Sequence, residues 1–457
     1  MDQPDRFPLP PPALAREIHG WALLAVAALG IAGAEALLLV LARMPFAQAL
    51  LPWSAADLQH FFYIALVTHV ILSFVVWYLA VLGALTALAV ARLSGGPPRL
   101  AKLGPAGLIA ATLGTVILCL PTLINLGEPS LNNYVPVIDH PSYFLGLGLI
   151  GLGVALAVVR LLANAHRLSC AADFGTVVAG VCYLVALVCF ALAWGTMPAG
   201  LESEAFNEHL FWGGGHILQF VNTAMMLTIW VMVGERVLGS ALVGRHLYRV
   251  VMVSMVLFVA VAPVFYFAFP PLSIDLRQAF TDLFWYGLVL PPIVIGLGLT
   301  VTLVRRWDSV RRDPVAVGLA LALILFAVGG VFGFFLGVGD TRTPSHYHAV
   351  IGGTNLAQMA LYVAVLMPVL GREAIGTRWS WALFLSYGVG QLVFSIGMFV
   401  AGAAGVPRKT AGAAQGLDSL LKTLAMGVYG LGGLLAVVGG VLFVWLMVRN
   451  LSRWRVS

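Results

Sequence analysis

Apolar residues fall along this chain in long blocks, each roughly 20 residues or more, divided by short polar segments. A block of that length is what about 30 Å of hydrocarbon demands of a helix rising ~1.5 Å per residue. The blocks cover residues 17–43, 59–92, 103–127, 141–163, 173–195, 210–236, 246–270, 280–304, 314–338, 345–370, 379–403 and 418–449. They predict twelve transmembrane helices joined by short connections. The expected fold is an all-α integral membrane protein, a twelve-transmembrane-helix bundle forming a single domain over residues 1–457, with no soluble domain. The first block is too long for a signal-peptide core, and it follows a Pro-rich, charged start from Met1 to Arg16.

Composition narrows the class further. Charged residues make up only 10% of the chain, whereas a soluble domain carries about 25%. Hydrophobic types reach 61%, so soluble globular and disordered classes are excluded. The 50 Gly and 24 Pro predict kinked, closely packed helices of the kind membrane bundles tolerate. Cys119, Cys170, Cys182 and Cys189 sit in apolar runs without CxxC spacing, which marks core residues and not a disulfide framework or a zinc site.

The formal net charge is +6, and its location decides its meaning. With the N-terminus placed inside, the inner segments hold 19 of the 25 Lys and Arg, while Arg43, Arg277, Arg342, Arg408, Lys409 and Lys422 remain outside. The outer loops are acid-rich, with Glu128, Asp139, Glu202, Glu204 and Glu208. The positive charge is therefore a topology signal with both termini cytoplasmic, and it does not point to nucleic acid.

Ionisable groups inside a bilayer are costly, so each requires a reason. Four of the ten His lie within spans: His69 in span 2, His216 in span 6, and His346 and His348 in span 10. All three spans begin at the outer face, which allows one shared layer of imidazoles in the outer half of the bilayer. Residues i and i+2 on a helix point about 200° apart. His346 and His348 therefore face opposite sides of span 10 and are suited to two large planar cofactors, one on each side. Hydrogen bonding to neighbouring helices is the alternative role for a buried His.

The ordered set of motifs resembles subunit I of the heme-copper oxidase superfamily, which includes cytochrome c oxidases and nitric oxide reductases. The resemblance covers nearly the whole chain and rests on three local matches. Phe211-Trp212-Gly213-Gly214-Gly215-His216 is similar to the span-6 Trp…Gly-His motif. Asp340-Thr341 followed by His346-Tyr347-His348 is similar to the span-10 Asp-Thr…His-x-His, one residue shorter. Gly405-Val406-Pro407-Arg408-Lys409 is similar to the Gly-x-Pro-Arg-Arg loop after span 11.

The resemblance implies two hemes. His69 and His348 would be the axial ligands of a low-spin heme confined to electron transfer. His346 would be the proximal ligand of a high-spin heme with one face open to a gas. Arg408 and Lys409 match positions that meet heme propionates, and two cations on an acid-rich side suit carboxylate partners. The implied partners are the lipid bilayer, O2 or NO, and an electron donor that is either a cytochrome c-type subunit or a quinol. The implied location is a bacterial plasma membrane.

The chain departs from the family at the second metal, copper or non-heme iron. His216 matches its span-6 ligand, but Phe265-Tyr266 stand where the span-7 His pair belongs, and no His occurs between His246 and His346. One imidazole is too few to hold such a metal. His209 lies two helical turns before His216, about 10.5 Å away unless Gly213-Gly214-Gly215 break the helix. Glu202, Glu204 and Glu208 are either oxygen ligands or a solvated loop. Phe220 stands four residues after His216, where some oxidases carry a redox-active Tyr. Tyr266 is either a group near the open heme face or core packing. Glu35 and Asp282 are the intramembrane acids and form no proton-channel motif, although Asp282 has Thr281 and Tyr286 nearby. Gln219 and Asn222 are expected to bond each other, a heme edge or a neighbouring helix.

Three readings follow: a heme-bearing respiratory oxidoreductase, a non-catalytic heme protein that senses gas or relays electrons, and a transporter that lost the chemistry. The retention of His69, His346 and His348 argues against the last. The charge asymmetry generates a direct test. Reporter fusions after Ser169 and after Arg311 are expected to read cytoplasmic, and one after Glu204 external; the reverse pattern would overturn the orientation.

Overall fold

The computed structural model describes residues 9–42, 55–132, 134–168, 170–408, 410 and 415–452. All twelve apolar blocks are helices long and apolar enough to cross a membrane. They are α1 (Pro12–Leu38), α2 (His60–Leu93), α3 (Leu103–Ile124), α4 (Pro141–Asn164), α5 (Ala171–Gly195), α6 (Ser203–Leu238), α7 (Arg245–Ala268), α8 (Ile274–Val310), α9 (Pro314–Phe335), α10 (Arg342–Val369), α11 (Thr377–Ala403) and α12 (Leu420–Leu451).

The helices differ from the apolar blocks mainly at their ends. Span 6 starts at Ser203, two turns before the apolar run begins at residue 210. Glu204 in that first turn suits the positive end of the helix dipole, so polar residues extend the helix beyond the hydrocarbon. Glu204 and Glu208 thus belong to a helix and not to a loop. The connection from α3 to α4 folds into an antiparallel hairpin of β1 (Glu128–Ser130) and β2 (Val137–Asp139), with Glu128 opposite Asp139 and Ser130 opposite Val137.

The chain divides into two compact units, one comprising residues 8–228 and 243–295, the other residues 229–242 and 296–457. In the first, polar groups secure the ends of the spans predicted to face the cytoplasm. Arg160 is 1% exposed and forms a two-pronged pair with Glu17, its Nη1 donating to Oε2 at 2.6 Å. Gly104 makes the space: a Cβ there would lie 1.9 Å from Arg160 Nη1. Arg92 pairs with the fully buried Asp173. Glu17 and Asp173 are therefore additional buried acids beside the two expected from sequence. Asp282 accepts from Gln278 at 2.8 Å, while its neighbour Thr281 donates to the Arg277 carbonyl and Tyr286 is exposed, so the three residues form no polar network with one another. In the second unit, α11 packs along α12, and Gly390, Gly397, Gly432 and Gly439 bring the two backbones close.

A buried ion pair is costly to break from one side only. Arg160→Met or Glu17→Met alone is expected to destabilise by about 3–5 kcal/mol, and the double substitution by much less. Thermal unfolding of the detergent-purified protein measures the difference; a double variant no more stable than either single one would refute the coupling.

Candidate functional site

The spans that carry the expected site are the most deeply buried. The buried share is 72% for α2, 78% for α6 and 83% for α10, against 50% or less for the other nine. Among the twelve, α10 also has the lowest mean hydropathy, 1.5. The least apolar span is thus the one most removed from lipid, because its polar side chains need protein partners.

His69 lies on α2 in the first unit. Its Nδ1 donates to the Ala32 carbonyl at 2.8 Å, which leaves Nε2 as the lone-pair nitrogen. The helix widens to a π-turn directly afterwards, over Ile71–Val76, and Ser73 Oγ donates back to the His69 carbonyl at 2.7 Å. His346 repeats this arrangement in the second unit: Nδ1 donates to the Gly329 carbonyl at 2.7 Å, and Nε2 is left for a ligand. Metal-bound His residues usually donate their other N–H in this way, which fixes the tautomer and raises the basicity of the ligating nitrogen. The donor set at His69 and His346 therefore fits axial ligation of heme iron. His348 packs its ring 5.1 Å from Phe394, edge to face.

The segments at Asp340-Thr341 and Val406–Arg408 of the second unit are joined by backbone. Thr341 N donates to Val406 O at 3.1 Å, and Arg408 N donates to Gly339 O at 2.9 Å. Thr341 Oγ1 also donates to Met398 O. Arg342 chelates Asp340 through Nε and Nη2. Arg408 is thereby fixed by its main chain while its side chain stays exposed. Lys409 lies outside the described residues.

His216, on α6 in the first unit, is different. Its Nδ1 donates to the Trp212 carbonyl at 2.8 Å, and its Nε2 lies 2.9 Å from the Tyr134 hydroxyl. Since Nδ1 carries the proton, the phenol is the donor to Nε2. Tyr134 comes from the turn between β1 and β2, and the sequence reading did not identify it. Burial, then the nearby Glu208 carboxylate, hold its phenol above the ordinary value, while a hydrogen bond with Gln219 opposes them.

Three successive glycines let three aromatic residues approach α6 at about 100° intervals. A Cβ on Gly213 would meet Tyr266 Oη at 2.2 Å, one on Gly214 would meet Phe190 at 2.3 Å, and one on Gly215 would meet Tyr134 Cβ at 2.7 Å. The glycines do not break the helix, which runs unbroken for 36 residues, so His209 and His216 stay about 10.5 Å apart. Phe265 and Tyr266 both pack on Phe280, at 5.3 and 5.5 Å between ring centroids, and Phe280 lies 5.9 Å from His216. Tyr266 lines a small recess with Glu208, His209, Trp212 and Arg277.

A family model for cytochrome c and quinol oxidase polypeptide I matches residues 18–455. An uncharacterized protein of Rickettsia prowazekii is 23% identical over 95% of both chains. An uncharacterized protein of Aquifex aeolicus is 30% identical over 78% of this chain and 86% of its own.

The Asp340–Arg342 pair generates a pH prediction. Hydrogen bonding to Arg342 holds the Asp340 carboxyl below its ordinary value. Its stabilisation is therefore present above the unfolded value, about 3.9, and is lost as pH falls through the lower folded value. Asp340→Asn is expected to cost on the order of 1 kcal/mol at neutral pH. The gap between wild-type and variant melting temperatures should close only below about pH 4; a gap that closes near neutrality would contradict the pairing.

Proposed function

The chain belongs to the cytochrome c and quinol oxidase polypeptide I family, and we propose that it is a heme-binding respiratory membrane oxidoreductase acting on O2 or NO. The observation that carries this reading is the matched geometry of His69 and His346. Each gives Nδ1 to a main-chain carbonyl and keeps Nε2 for a metal. His69 and His348 would hold one heme used for electron transfer, and His346 would hold a second heme able to bind a gas. The hemes supply one-electron transfer and gas binding.

The protein's own residues hold and orient these groups. The Ala32 carbonyl sets the His69 ring, and the Gly329 carbonyl sets the His346 ring. Arg408, anchored through Gly339, offers an exposed cation to a propionate. Electrons arrive from a cytochrome c-type subunit or a quinol. The termini face the cytoplasm of a bacterial cell. A second reading, a heme protein that senses gas or relays electrons without turnover, is favoured by one observation: both His216 nitrogens are already hydrogen-bonded within the protein.

Absorption spectra test the ligand assignments. His69→Ala and His348→Ala are each expected to abolish the sharp reduced α-band of the low-spin heme, whereas His346→Ala preserves it and removes CO binding. Loss of the α-band in His346→Ala but not in His348→Ala would reverse the assignment on α10.

A further inference from the structure

We propose that the second-metal position of this family is closed here by a hydrogen bond: Tyr134, delivered by the β1–β2 hairpin, takes the His216 nitrogen a metal would need. That position then holds no copper or non-heme iron. The inference rests on the heme reading above and concerns a tyrosine that no sequence motif marks.

Ligand supply is the first argument. Among the described residues no three His, Cys, Asp or Glu side chains are placed to hold a metal ion. The positions of the family's span-7 pair are filled by Phe265 and Tyr266, both packed on Phe280. His209 is held two turns away by the unbroken α6.

The second argument is nitrogen occupancy. A metal must bind a lone pair on Nδ1 or Nε2. Nδ1 is protonated and bonded to Trp212 O, and the Nε2 lone pair accepts from Tyr134. His69 and His346 show the opposite arrangement, with one nitrogen left over. A metal at His216 would have to displace the phenol that is hydrogen-bonded to it.

The third argument is that the fold is shaped to hold Tyr134 there. Its backbone is left-handed, with φ of 65°, which costs a non-glycine residue roughly 1–2 kcal/mol. Gly215 gives it room, and its ring lies 4.4 Å from His216 and 5.5 Å edge-on from Trp212. The hairpin that presents it is fastened from two sides. Tyr143 Oη donates to Pro136 O at 3.2 Å, and His60 Nε2 donates to Gly127 O at 3.0 Å. A strained tyrosine, a glycine cut away for it and a fastened loop converge on one imidazole nitrogen.

The experiment uses the full-length protein purified from cells grown with copper and iron, then exposed to excess copper and washed. Metal analysis against heme is expected to find iron equal to heme and no stoichiometric copper. Infrared difference spectra with ring-labelled tyrosine are expected to show one strongly hydrogen-bonded phenol C–O band. That band should vanish in Tyr134→Phe and shift toward a free phenol in Gly215→Ala, which crowds Tyr134 without removing its hydroxyl. The labelled-imidazole signal of His216 should move in both variants. One copper or non-heme iron per two hemes would overturn the proposal, as would a His216 signal indifferent to both substitutions. The infrared arm reads the pair with or without heme, so a protein that purifies without heme counts against the functional reading alone.

Discussion

A buried imidazole has two nitrogens, and inside a membrane neither finds water. Leaving a polar group unpaired in an apolar setting costs several kcal/mol. Each intramembrane His must therefore be accounted for nitrogen by nitrogen, and that accounting organises this protein. At His69 and His346 the main chain takes one nitrogen and leaves the other. At His216 the protein takes both. Residues that sequence position alone would group as equivalent ligands separate into two kinds once their hydrogen bonds are followed.

The architecture around α6 serves that difference. Glycine inside a helix costs roughly 0.5–1 kcal/mol relative to alanine, and three in a row would be expected to weaken or bend it. Here the run stays helical, with an aromatic residue from another element beside each missing Cβ: Tyr266 and Phe280 at Gly213, Phe190 at Gly214, Tyr134 at Gly215. The packing gained from close aromatic approach offsets the backbone entropy of the glycines. The consequence reaches the chemistry, since a helix that does not break at Gly213–Gly215 cannot bring His209 to His216.

The twelve spans were legible in the sequence because membrane insertion reads unbroken apolar length, a purely local property. The histidines were legible for the complementary reason, being polar residues where polarity is costly. What escaped reading was tertiary. Glu17 and Arg160 are 143 residues apart, and each sits near a span end where a charge looks unremarkable. Tyr134 lies in a hairpin turn with no motif around it, 82 residues from His216. One signal does point there: Gly215 immediately before His216 leaves room for something large beside the imidazole, but a glycine run alone does not say what fills it. The loop assignment of Glu204 and Glu208 failed because hydropathy marks where the apolar run ends, whereas the helix continues past it through polar residues.

Family membership transmits the bundle more securely than the chemistry. His69 and His346 each give one nitrogen to a main-chain carbonyl, which prepares the other for a metal. At His216, where the resemblance places a second-metal ligand, both nitrogens are instead hydrogen-bonded within the protein. Had the span-7 pair simply been lost, His216 would be a buried imidazole with an unfilled acceptor, a liability that mutation to an apolar residue would relieve. Its Nε2 is instead met by a phenol held in a strained backbone and admitted by a glycine. An arrangement requiring three coordinated features is harder to explain as decay than as replacement. The His216–Tyr134 pair thus keeps a polar, proton-bearing group at the position where the resemblance places a metal ligand.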